Sequence, residues 1–177
     1  MGFESFRVEL RGGTASSAQV DELVRRLPHV KRDHEAIASR GTTDYTLEDG
    51  LHVIEVEVVA SPLKVSCRFT MCHPPSIDSA FLSLSRELMA RLGMEVRICD
   101  DVRPEHSQWF ALDRFPEFAQ IVSRDLATRR AEWLANFGPV QFPAKTHEVY
   151  ERIIRPRCEP FKGIRTGDAA SVARMKD

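Results

Sequence analysis

The feature that most limits what this chain can fold into is a period-two alternation of apolar and charged residues, repeated in four separate stretches. In "SFRVELR" (residues 5–11) Phe6, Val8 and Leu10 alternate with Arg7, Glu9 and Arg11. In residues 53–60 Ile54, Val56 and Val58 alternate with Glu55 and Glu57. "KVSCRFTMCH" (64–73) sets Val65, Cys67, Phe69 and Met71 against Ser66, Arg68 and Thr70, and residues 94–101 set Met94, Val96 and Ile98 against Glu95 and Arg97. Strand side chains point to opposite faces in turn, so each stretch predicts a strand with one buried and one wet face. Such strands need an apolar layer on one side only.

Two helical patterns can supply that layer. Ser16 with Gln19 three residues later reads as a capping box, and Val20, Leu23, Val24 and Leu27 then share a face up to Pro28. Ser76 reads as the cap of a second helix, carrying Ile77, Phe81, Leu84, Leu88 and Leu92, closed by Gly93. Between them, residues 29–42 are polar and read as a loop with a short strand near Val30, and "DYTLEDGLHVIEVEVVA" (44–60) reads as a hairpin turning at Glu48-Asp49-Gly50. The expected fold is therefore α+β: a ferredoxin-like sandwich with a mostly antiparallel sheet of four to five strands and two helices on one face.

Beyond Val102 the character changes. Residues 109–142 hold seven of the 14 aromatics in the chain, so this fifth of the sequence must bury them. Pro116 suits the first turn of a long helix ending near Gly138, and a shorter helix is predicted from Thr146 to just before Pro156. The expected organisation is an α+β core over 1–102, an aromatic-rich helical extension over 103–156 packed on it, and a flexible basic tail over 157–177.

Composition narrows function by exclusion. The 177 residues carry 25 Lys+Arg and 26 Asp+Glu, divided as 18 against 22 in residues 1–150 and 7 against 4 thereafter. That is no basic surplus of the kind nucleic-acid domains carry, which argues against nucleic acid as partner. No apolar run approaches a membrane span, and the N-terminus lacks the pattern of a signal peptide, so the expected address is the cytoplasm, of a bacterial cell. Cys67, Cys72, Cys99 and Cys158 are expected as reduced thiols. No phosphate-binding, dinucleotide, nucleophile-elbow, zinc-protease or EF-hand motif occurs, and neither a cofactor nor a metal site is expected.

Four places could carry chemistry or binding. Cys72-His73, at the exit of a strand into Pro74-Pro75, lacks the ligand spacing of a zinc site and reads as a junction into the second helix. His73 alone could reach a strand-end cluster of Asp100, Asp101, Glu105 and His106, which would suit hard-metal or acid–base chemistry. The wet face of the sheet, with Glu55, Glu57 and Arg68 among its charges, reads as a ladder of cross-strand ion pairs or an electrostatically specified docking face. Trp109 and Phe110, with Arg124, Arg129 and Arg130 as a polar rim, form a candidate interface on the aromatic segment.

The reading that follows is a non-enzymatic protein that binds another protein, such as a toxin-neutralising immunity protein or a secretion-system accessory. The rival readings are a small hydrolase-type or metal-dependent enzyme built on the strand-end cluster, and a homodimeric small-ligand binder.

Overall fold

A computed structural model of the chain describes residues 4–32, 41–99, 108–139 and 141–158. Six strands form one antiparallel sheet: β1 (Ser5–Arg11), β2 (Val30–Arg32), β3 (Thr42–Glu48), β4 (Val53–Ala60), β5 (Leu63–Thr70) and β6 (Glu95–Ile98), in the order β2-β3-β4-β5-β1-β6. The architecture is α+β, as the alternation predicts. The sheet is wider than the expected four to five strands, because Val30–Arg32 is a full edge strand that pairs with residues 45–47 of β3. The short strand expected near Val30 is thus present, and its pairing with β3 is what widens the sheet.

The alternation places Phe6, Val8, Leu10, Tyr45, Val56, Cys67, Phe69, Val96 and Ile98 on one buried face. The α2 helix (Ile77–Leu92) lies on that face and sets Phe81 against Phe6 at 5.7 Å and Phe69 at 4.9 Å between ring centroids. The α1 helix (Ser17–Arg25) packs against β2 and β4 and buries Val20 and Val24. Its capping box forms as predicted: the Gln19 amide donates to Ser16 Oγ, and the Ser16 amide donates to Gln19 Oε1. Gly13 is where β1 passes the end of α2. Its φ is +75°, and a Cβ there would sit 2.1 Å from the Leu92 carbonyl oxygen, so only glycine fits.

The aromatic segment supplies a third helix. Phe110 forms an antiparallel bridge with Val96 at the sheet edge, and after a 3-10 turn (Leu112–Arg114) the α3 helix (Phe115–Phe137) packs beside α2. Phe110, Phe118, Val122, Leu126 and Trp133 are buried. Arg129 is also buried: it pairs with Asp125 at 3.1 Å, donates to the Ser5 carbonyl at 3.1 Å and lies over the Phe6 ring. A buried guanidinium paired and bonded in this way ties α3 to the start of β1.

The described residues divide into two units between Thr146 and His147. In the second, the helix opened by α4 (Thr146–Val149) runs through a π-helical stretch (Tyr150–Ile154) into α5 (Arg155–Cys158), with ion pairs Glu148–Arg152 and Glu151–Arg155. The expected stop before Pro156 is thus passed. A proline ring clashes with the carbonyl four residues earlier in an α-helix, and the wider π-turn just before it relieves that clash. The tail expected from residue 157 falls almost wholly outside the described residues.

Candidate functional site

His73, the residue expected to serve a site at the strand end, is fully buried and spent on backbone. Its Nε2 accepts from the amides of Val53 at 3.0 Å and Ala144 at 3.3 Å. Its Nδ1 lies 2.9 Å from the Thr70 carbonyl, to which it must donate, since a carbonyl can only accept. The ring is therefore the neutral Nδ1–H tautomer. Burial, the largest influence, pushes its pKa below the usual histidine value. Cys72 belongs to the same knot: it exchanges backbone contact with Phe142 (amide to Cys72 carbonyl, 2.9 Å), and its Sγ lies 3.2 Å from the Phe142 carbonyl. Thr70 Oγ1 joins Cys72, His73 and the Ala144 carbonyl. The pair that ends β5 thus fastens residues 142–144 to the sheet. Cys67, on the core face, has its thiol pushed up to about 12 by burial.

The partners proposed for His73, Asp100, Asp101, Glu105 and His106, lie outside the described residues. Among the described residues no group of three or more His, Cys, Asp or Glu side chains could hold a metal ion.

The wet face of the sheet carries part of the predicted ion-pair ladder. Arg97 bonds Glu9 at 3.2 Å, Arg68 bonds Glu55 at 3.1 Å, and Arg11 lies 3.9 Å from Glu95, each pair standing directly opposite in the register. Glu55 also accepts from the amide of Thr146 at 2.9 Å and from its hydroxyl. Elsewhere the register sets like against like: Asp44 opposite Glu57, and Arg7 opposite Arg68. Cross-strand pairing of like charges costs stability. The charges are also sorted across the sheet. β2, β3 and β4 contribute Lys31 against Asp44, Glu48, Glu55 and Glu57 to this face, while β5, β1 and β6 contribute Lys64, Arg68, Arg7, Arg11 and Arg97 against Glu9 and Glu95. One half is thus 1 − 4 = −3 and the other 5 − 2 = +3.

Of the candidate interface residues, Trp109 lies on this face, half-buried, with Arg11 at 3.8 Å and Arg97 at 4.7 Å over its ring. Phe110 and Arg129 are core. Arg130 donates to the His73 carbonyl at 2.9 Å and pairs with Asp78 on α2, whereas Arg124 is exposed on α3.

The structure brings together one constellation that the sequence pattern did not suggest. At the tip of the β3–β4 hairpin, Asp49 Oδ1 accepts from the amides of Leu51 at 2.9 Å and His52 at 2.7 Å. Its Oδ2 lies 2.8 Å from His52 Nδ1, and His52 Nε2 lies 2.8 Å from Ser76 Oγ. Burial would raise the Asp49 pKa, but the bonds from the His52 ring and the two amides outweigh it and bring the carboxyl down to about 2. Asp49 therefore stays charged and accepts from His52 Nδ1, and in the neutral ring the Nε2 lone pair is left for the Ser76 hydroxyl proton.

Ser76 occupies the N-cap position of α2 yet makes no capping bond, in contrast to Ser16 on α1. Beside His52 opens a cleft of about 160 Å³, lined chiefly by Pro28, Leu47, Ile54, Ala80 and Leu84. The signal in the sequence was slight: an Asp and a His three apart in a turn, and a serine 24 residues on.

No described helix is long and apolar enough to cross a membrane. Comparison of the chain with protein-family models, with curated proteins and with solved structures finds no match in any of the three.

Proposed function

We propose that this protein acts by binding another protein through the charged face of its sheet. The observation that carries the reading is the register that sets Asp44 opposite Glu57 and Arg7 opposite Arg68. A strand pair used only for stability gains from opposite charges at such positions, each worth roughly 0.2–1 kcal/mol. Beyond the pairing these residues have within the fold, a partner that brings counter-charges to them offsets the repulsion between like neighbours. The partner that fits is a protein surface basic where it meets β3–β4 and acidic where it meets β5–β1–β6. Trp109, already flat beneath two guanidinium groups, supplies an aromatic anchor at the basic end. Sorted charge of this kind speeds encounter and fixes orientation more than it adds affinity.

Within that class, a toxin-neutralising immunity protein or a secretion-system accessory, working in a bacterial cytoplasm, is the kind of protein proposed. The order β4-β5-β1-β6, with α1 following β1 and α2 following β5, supports reading the core as a ferredoxin-like unit widened by β2 and β3. A polarised face of equal and opposite halves is also complementary to itself after a two-fold rotation, and this favours a homodimer as the second reading.

Photo-crosslinking residues placed at positions 57 and 109, with position 134 on α3 as control, test the proposal in cells of the native host. The expected result is one partner captured from 57 and 109 and not from 134, and lost in E57K and R11E. Capture from position 134 alone, or capture indifferent to both charge reversals, would overturn it. Capture of a second copy of the chain from 57 and 109 would decide for the homodimer.

A further inference from the structure

We infer that Asp49, His52 and Ser76 form a nucleophilic relay, with Ser76 Oγ poised to take a short apolar acyl group from an ester lying in the adjoining cleft. Two independent observations converge on it. The two bonds of the relay are each 2.8 Å, the distance at which a base takes a hydroxyl proton. Asp49 is locked by two backbone amides, so it fixes the histidine tautomer and supports the imidazolium that forms. Ser76 has helical backbone angles and makes no capping bond, which leaves its hydroxyl to His52. His52 is largely shielded, with its side chain 13% exposed, while Ser76 itself is exposed to reactant.

The cleft defines the substrate class. Ala80, one helical turn beyond Ser76 on α2, lines it together with Pro28, Leu47, Ile54 and Leu84. Its volume of about 160 Å³ resembles that of an apolar cavity able to hold one benzene-sized molecule, so an acyl chain of about four carbons fits. Glu48 and Asp49 border it along with His29 and His52, so its rim disfavours an acid group and its apolar wall takes an uncharged acyl chain.

The proton and bond changes balance without any added reagent. Ser76 Oγ bonds the acyl carbon as its proton passes to His52 Nε2. The ester C–O bond breaks, and the departing alcohol takes that proton from His52. Water then attacks the acyl-serine along the same path, giving its proton to His52 and thence to Ser76 Oγ as the carboxylic acid leaves.

The same geometry limits both halves. The amides of Ile77 and Asp78, next to Ser76, donate to the Pro74 and Pro75 carbonyls at 3.1 Å, so neither is free to hold an oxyanion. Loss of one such donor slows acyl transfer by roughly 10²–10³. An activated ester offsets that loss with its good leaving group and acylates Ser76, whereas the unactivated acyl-serine has no such help and its hydrolysis is slow.

The test is the full chain mixed with p-nitrophenyl butyrate, following p-nitrophenolate release and intact mass. The expected result is a burst approaching one equivalent, with one butyryl group mapped to Ser76 and stable to hydroxylamine at neutral pH, where a thioester on Cys99 would be cleaved. S76A abolishes the label, S123A on α3 keeps it, and H52A and D49N slow it on the order of 100-fold or more. Thermal melting of each variant separates lost reactivity from lost fold, and S76C, which keeps a nucleophile in place, retains a hydroxylamine-labile label. Absence of a burst in the folded wild-type protein, or a label that persists in S76A, overturns the inference. Either outcome leaves protein binding by the sheet untouched.

Discussion

His73 and His52 sit at opposite ends of the same packing problem, and their difference shows how a fold decides what an imidazole can do. His73 is fully buried, and every hydrogen-bonding site on its ring is committed to backbone atoms of residues 53, 70 and 144. His52 faces two side chains instead, Asp49 on one nitrogen and Ser76 on the other. Backbone partners cannot exchange protons usefully, whereas a carboxylate and a hydroxyl can. The buried ring is a fastener, and the hairpin-tip ring is a base. Both lie where a strand meets a turn, so local sequence alone does not separate them.

The largest expected effect breaks the fastener. His73→Ala leaves the Val53 and Ala144 amides without partners in a dry site and opens a cavity, at a cost of about 3–5 kcal/mol by urea unfolding. A loss under about 1 kcal/mol would mean the knot is not structural.

Next comes pH. Because burial depresses the folded pKa of His73, its contribution is fully present above the unfolded value near 6.5 and is lost as pH falls below it, when the unfolded chain takes up a proton that the native state refuses. The slope approaches about 1.4 kcal/mol per pH unit. Unfolding at pH 7.5 and 5.5 should therefore show a drop that is smaller by one proton's worth in His73→Gln; parallel losses in both proteins would contradict it.

The relay should weigh far less on stability. His52→Ala costs about 1 kcal/mol, since its partners Asp49 and Ser76 are exposed and can bond water in its place, although it removes the acylation burst. A melting-temperature loss as large as that of His73→Ala would show His52 to be a second fastener.

The smallest effect has the opposite sign. Glu57→Lys replaces the like pair with Asp44 by an opposite one and should gain about 0.3–0.5 kcal/mol while losing the partner. Destabilisation instead would show that Glu57 is already satisfied within the fold.

Much of the architecture was legible because it rests on periodicity. Four alternating stretches and two capped helices follow from side-chain direction, and the helix opening at Pro116 ends at Phe137, beside the expected Gly138. Misreadings have local causes. A short strand near Val30 was legible but three residues do not show that it joins the sheet as a sixth strand, and Pro156 stops an α-helix but not one preceded by a π-turn. The ladder was half legible: which strands carry charge can be read, but which charge stands opposite which depends on the register, and this set Arg7 against Arg68 as well as Arg68 against Glu55.

The site was hardest to read, since Asp49 looks like any turn residue and Ser76 like any helix cap. Their local roles are what the chain states: Asp49 accepts amides in a turn, and Ser76 stands at the head of α2. That their remaining atoms meet on His52 follows only from the tertiary structure, which lays the β3–β4 hairpin tip against the start of α2. By itself the sequence determined the face each strand buries and the places where helices begin, because those depend on neighbours a few residues away. Which histidine is sealed and which is left facing a serine was decided by contacts 20 to 71 residues apart, which no local pattern encodes.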